Sequence, residues 1–208
     1  MATQTPVATE PKSETILEQK LQKLRELYAD APEVGRAALK NGLPMLTEEL
    51  AAAGRAQTAG RIGARQGKVS ELTVFLPFVK GGAQRLRGLL QFLEGNFRAA
   101  DAVGTVHNMR FVFVDNDTKL LFATAYDGDF DPYIEDFAAK IPNAMDLWLC
   151  NFEGFPGMHN ASAAADWIAK HQIAAEAWYV NSPNLTAAET RRLEHVGTAV
   201  EELLDKIG

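Results

Sequence analysis

From Val69 onward the hydrophobic pattern switches repeatedly between the two-residue period of a strand and the longer period of a helix, and few folds accommodate that order. Ser70 to Phe78 places Leu72, Val74, Leu76 and Phe78 on one strand face, with Thr73 and Phe75 on the other. Gly81-Gly82 ends this run and opens a helix whose apolar stripe is Ala83, Leu86, Leu90, Leu93 and Phe97. A strand from about Thr105 to Val114, the turn Asp115 to Thr118 and a strand from Lys119 to Ala125 read as a hairpin. A helix from about Pro132 to Lys140 and a strand near Leu147 to Phe152 complete the order βαββαβ. That order predicts an α+β fold of the ferredoxin-like kind, an antiparallel four-stranded sheet with both helices on one face. A helix over Ala161 to His171, a short strand over Glu176 to Val180 and an amphipathic C-terminal helix over Thr186 to Ile207 follow.

The N-terminal third has a different character. Residues 1–13 are rich in Thr, Pro and Ala and predict a disordered tail. Residues 14–68 predict a helical extension and linker, and 69–208 the α+β domain. Leu17, Leu21, Leu24 and Tyr28 recur at helical spacing from Glu14 to about Ala29. A second helix from about Pro32 to Lys40 should stop at Asn41-Gly42, with a third from Thr47 to Ala53. The Gly- and Arg-rich run 54–68 reads as a mobile linker or a strap across the domain.

At 208 residues and 47% hydrophobic content the chain can bury a sizeable core, so one sheet face left bare would be a problem. Met109, Phe111 and Phe113 alternate with Val112 and Val114, so neither face of the second strand is polar. The N-terminal helices, the C-terminal helix or the sheet of a second chain must cover the far side, and the last predicts a homodimer. A formal net charge of -6 argues against nucleic acid as the main partner. No apolar run is long enough for a membrane span and no basic-then-apolar leader opens the chain, which sets a cytoplasmic location as the expectation. The single cysteine, Cys150, reads as a core thiol on a strand.

The stretch Thr124 to Phe137 carries five acidic residues, three spaced as Asp127, Asp129 and Asp131. A calcium loop fails on its template, since Pro132 stands where Gly is needed and Ala138 where Glu is needed. Asp131 before Pro132 instead predicts a helix N-cap. No paired zinc signature involves the four histidines. His107 shares a strand face with Met109, Phe111 and Phe113, so its ring should enter an apolar layer. It is either a satisfied core histidine or a haem ligand or acid/base group. Arg110 on the same strand needs a carboxylate partner or a polar cavity, with Asp127 and Asp129 as candidates.

The segments GTVHNMRFVFVDNDTKLLFATAYDGDFDPYIEDF, LWLCNFEGFPG and AWYVNSPNLT resemble a family of bacterial and fungal proteins of the dimeric α/β-barrel superfamily. His107, Arg110, Asp127, Gly128, Gly154 and Pro156 fall on its matching positions. Because that superfamily includes dye-decolourising peroxidases and chlorite dismutases, the resemblance implies peroxidase- or oxygenase-like chemistry on haem or an aromatic molecule. The implied roles are His107 as axial ligand or acid/base, Arg110 as polar anchor and Asp127 as the residue orienting Arg110. His159, His171 or His195 are the alternative haem ligands. Two other readings remain: a cofactor-free enzyme on a small aromatic substrate, and a non-catalytic dimeric module whose N-terminal helix docks a protein partner. In the leading case the partner is a hydrophobic small molecule.

Overall fold

The structure, a computed structural model, describes residues 13–52 and 57–207. Of the expected tail, residues 1–13, all but Ser13 lie outside the described residues, and Ser13 is helical. The chain divides into two compact units, 1–55 and 56–208.

The first unit holds α1 (Ser13–Leu27) and α2 (Glu33–Ala52). The expected break at Asn41-Gly42 does not occur: α2 runs through both residues and through Pro44. A helical glycine costs only about 1 kcal/mol relative to alanine. Here Ala37, Ala38, Leu39 and Leu43 surround the weak point, and Thr47 Oγ1 bonds the Leu43 carbonyl at 2.8 Å.

The second unit is mixed α and β, built on a five-stranded antiparallel sheet. Its strands are β1 (Gln57–Thr58), β2 (Ala64–Gln66), β3 (Val69–Pro77), β4 (Val106–Val114) and β5 (Lys119–Asp127), in the order β1-β2-β3-β5-β4. The run expected as linker or strap therefore contributes two short edge strands. The β4–β5 hairpin turns through Asp115, Asn116 and Asp117, all at positive φ, a conformation that Asn and Asp tolerate better than most side chains.

The helices are α3 (Gly82–Leu93), α4 (Arg98–Val103), α5 (Phe130–Lys140), α6 (Pro142–Leu149), α7 (Ala161–Lys170) and α8 (Ala187–Ile207). Leu72, Val74 and Leu76 of β3 and Leu120, Phe122 and Tyr126 of β5 share the sheet face that meets Leu86 of α3, Ile134 of α5 and Ile168 of α7 in one core. Burying each such side chain is worth roughly 1.5–3 kcal/mol, which is what holds the helices on this face.

The order β3–β5–β4 is that of a split βαβ, but the complete four-stranded ferredoxin-like arrangement is not what the strand order shows. The expected fourth strand, Leu147 to Phe152, is the end of a helix followed by a turn. α6 starts on Pro142 at its first turn and buries Met145 and Leu149, four residues apart. A short unbroken apolar run fits either period, and here the helical one wins because both residues reach the core. Only Phe152 bridges the sheet, opposite Phe78. Cys150, expected inside a strand, accordingly sits exposed at the end of α6. Glu176 to Val180 forms no strand; instead Gln172 bridges Val74 at the β3 edge. No described helix is long and apolar enough to cross a membrane.

Candidate functional site

The side chains that the helices press onto the sheet do not fill the space completely. Between Leu72, Val74 and Phe122 of the sheet and the helices α3, α5 and α6 lies a cavity of about 490 Å³. That is within the usual range of small-molecule pockets, roughly 300–1,000 Å³. Leu86, Leu90 and Leu93, three members of the stripe read from the sequence, line one wall, and Phe97 to Ala100 at the start of α4 extend it. Phe92 and Leu147 stand 84% and 58% exposed on the lining, so the pocket opens toward solvent there.

The two walls are pinned to one another. Buried Asn151 donates to the carbonyls of Leu147 and Trp148 at the end of α6 and accepts from Arg85 Nε of α3 at 3.0 Å. Its backbone carbonyl accepts from Val79 N at 3.0 Å. Gly82, the first residue of α3, passes so close that an added Cβ would lie 3.2 Å from both the Asn151 carbonyl carbon and the Phe78 ring.

Polar groups on the lining are few. The Tyr133 hydroxyl reaches Thr124 Oγ1 at 3.4 Å, and burial pushes the phenol up to about 12. The ring stacks on Tyr126 at 3.9 Å, whose phenol burial also raises. Trp148 packs its indole on Phe122 and Phe111, while its Nε1–H is sealed from solvent without an acceptor. Asn96 and Arg98 lie exposed. Among the described lining residues there is no His, Cys, Asp or Glu. The arrangement can therefore hold an apolar molecule, but it supplies no acid, base or nucleophile of the ordinary kinds.

The residues singled out from the sequence lie elsewhere. His107 Nε2 and Asp127 Oδ1 are 2.7 Å apart, with both side chains largely shielded. The His107 ring does not follow the alternation expected of it. A register shift between Val106 and Asn108 inserts one extra residue, so Val106 and Met109 both pack on the core while His107 turns to Asp127. Asp127 also accepts from Ala187 N at 3.0 Å, capping the first turn of α8 from another strand. Thr186 and Glu189 close a reciprocal box at the same helix start: Glu189 Oε2 accepts from Thr186 N at 2.7 Å and Thr186 Oγ1 accepts from Glu189 N at 3.1 Å. Lys68, then the two Thr186 bonds, hold the Glu189 carboxyl down to about 2.

Asp127 thus orients His107 and α8, not Arg110. Arg110 is exposed on the far face of the sheet, without a hydrogen bond or ion pair among the described residues. The three aspartates of the acidic stretch diverge to different partners. Asp129 pairs with Arg65 at 2.6 Å, and Asp131 with Arg61 at 2.7 Å. Asp131 is not the cap of α5, which begins earlier, at Phe130 with Asp129 in the capping position. Of the other histidines, His171 Nδ1 meets the Trp167 carbonyl at 2.8 Å, His159 is exposed beside Asp146, and His195 lies exposed on α8.

The sequence reading expected a small molecule between sheet and helices but did not name this lining, because there it is an ordinary core stripe. Two signals were present and unused: Trp148 in an apolar run, and Arg98 directly after Phe97. Compared with known protein families and with curated proteins, the chain matches none.

Proposed function

We propose that the protein binds a hydrophobic small molecule in the pocket between the sheet and α3, α5 and α6. The observation that carries this reading is the 490 Å³ of apolar space opening beside Phe92 and Leu147. Each methylene moved from water into such a space contributes about 0.8 kcal/mol. The sheet order β3–β5–β4 and the helices on one face support kinship with ferredoxin-like, dimeric α/β-barrel proteins, in which redox chemistry is the extension the resemblance suggests.

A haem held by histidine or thiolate does not fit this pocket as the donors stand. Its iron takes an axial His, Cys, Met or Tyr. The lining offers no histidine or thiolate, Tyr133 holds its proton to about 12 and His107 is engaged by Asp127, so Met109 and Met145 are the donors of that set left on the lining. The test is a pair of titrations, one with haemin followed at the Soret band and one with the neutral fluorophore N-phenylnaphthylamine. The fluorophore should bind saturably, and Leu90→Trp, which fills the cavity, should abolish binding with the far-ultraviolet spectrum unchanged. A saturable haemin shift lost in His107→Ala would refute this reading in favour of haem.

One further feature favours an assembly role beside binding. Leu193, Val196, Val200, Leu203 and Ile207 of α8 recur at alternating three- and four-residue steps and are all about half exposed or more. That seam matches the spacing by which two helices pair, and a second copy of α8 is the occupant it fits. Val200→Glu should lower the molar mass measured by light scattering if copies pair there.

A further inference from the structure

Resting on the pocket reading above, we infer that the occupant is a long-chain carboxylic acid whose carboxylate sits at the Arg98 end of the cavity. Two observations point to that end. First, Arg98 is a lining cation with no ion pair among the described residues, and the described lining carries no carboxylate to neutralise it. An apolar cavity bordered by one uncompensated guanidinium selects an anion with an apolar tail over a neutral or cationic molecule of the same length.

Second, the wall that runs from Arg98 is a row of rings, a surface for an apolar tail. Phe97, the chain neighbour of Arg98, stacks on Phe111 with centroids 5.7 Å apart, and Phe111 meets Trp148 edge-on at 5.1 Å. A carboxylate has two oxygens and accepts several hydrogen bonds, so an acid head group matches the fork of N–H donors on the guanidinium. Apart from Asn96 and the Tyr133 hydroxyl the remaining lining is aliphatic and aromatic, as an acyl chain requires.

The full chain is loaded with N-phenylnaphthylamine and the dye is displaced by dodecanoate, dodecanol and dodecylamine. Dodecanoate should displace it at a concentration lower by about tenfold or more than the alcohol, the scale of one charge-assisted hydrogen bond. The amine should be weakest. Across a series of acids, affinity should rise about fourfold per added methylene, the equivalent of about 0.8 kcal/mol. Arg98→Gln should erase the preference for acid over alcohol while dye affinity stays unchanged; because Arg98 is exposed, the variant is expected to fold.

Equal displacement by acid and alcohol, or a preference that survives Arg98→Gln, overturns the carboxylate inference and leaves the pocket reading standing. Failure of the dye and of every ligand to bind overturns both.

Discussion

Two alanine substitutions in α3 test how tightly the pocket walls are joined. Gly88 and Gly82 both lie in this helix, and by helix propensity alone either change to alanine should stabilise the fold by up to about 1 kcal/mol. Gly88 is exposed with nothing near its added Cβ, so that gain should appear in full. At Gly82 the new Cβ would lie well under 3.0 Å from the Asn151 carbonyl oxygen, a backbone atom that also accepts from Val79 N. Relieving the clash means moving the start of α3 or the end of α6, and overpacking of that kind costs about 1–3 kcal/mol. The net change at Gly82 is therefore a loss of up to about 2 kcal/mol by these two magnitudes. The assay is urea unfolding of the wild type, Gly82→Ala and Gly88→Ala, comparing midpoints at equal slopes. Gly88→Ala should move the midpoint up and Gly82→Ala down. If both move up together, the close approach of α3 to Asn151 is not present and the wall geometry argued for the pocket is wrong.

Tyr133 makes the fold sensitive to alkali: its phenol ionises near 10 when unfolded and near 12 when folded, so its contribution is complete below pH 10 and is lost as pH rises through about 12. Stability against pH should therefore fall over that window and fall less steeply in Tyr133→Phe, and an unchanged slope refutes it. Glu189 has the opposite sign, from about 4.5 unfolded to about 2 folded. Its support for the α8 start is present above pH 4.5 and lost as pH falls toward 2, and Glu189→Gln should remove that dependence from amide exchange in the first turn of α8. Asp127→Ala removes the bonds to His107 and Ala187 and should cost about 1.5–3 kcal/mol by denaturant unfolding, the range for hydrogen bonds to a charged group. A loss below about 0.5 kcal/mol would place these contacts among those worth no more than a surface pair.

The parts of this fold that were legible in the sequence are those whose pattern is local. The alternation of β3 and β4, the Asp-Asn-Asp turn and the stripe of α3 each depend on residues a few positions apart, and each element stands close to where the pattern put it. α6 was missed because Leu147 to Cys150 is an unbroken apolar run, which contains no period to read. The expected partnership of Arg110 with Asp127 failed for a related reason. It assumed strict alternation along β4, and one extra residue at His107 changes which side chain reaches Asp127 without changing composition at all.

What the sequence determined by itself is the class of the chain: enough apolar residues for a core, strands and helices in a mixed order, and an acidic surface, all properties summed over neighbours along the chain. What only the tertiary structure decided is where those elements leave a gap. The pocket exists because Asn151 and Gly82 set the spacing of α3 from α6 while Leu72, Val74 and Phe122 floor it, and those residues meet only after the chain has returned on itself. A stripe of leucines looks the same in sequence whether its partner side chains fill the space before it or stop short.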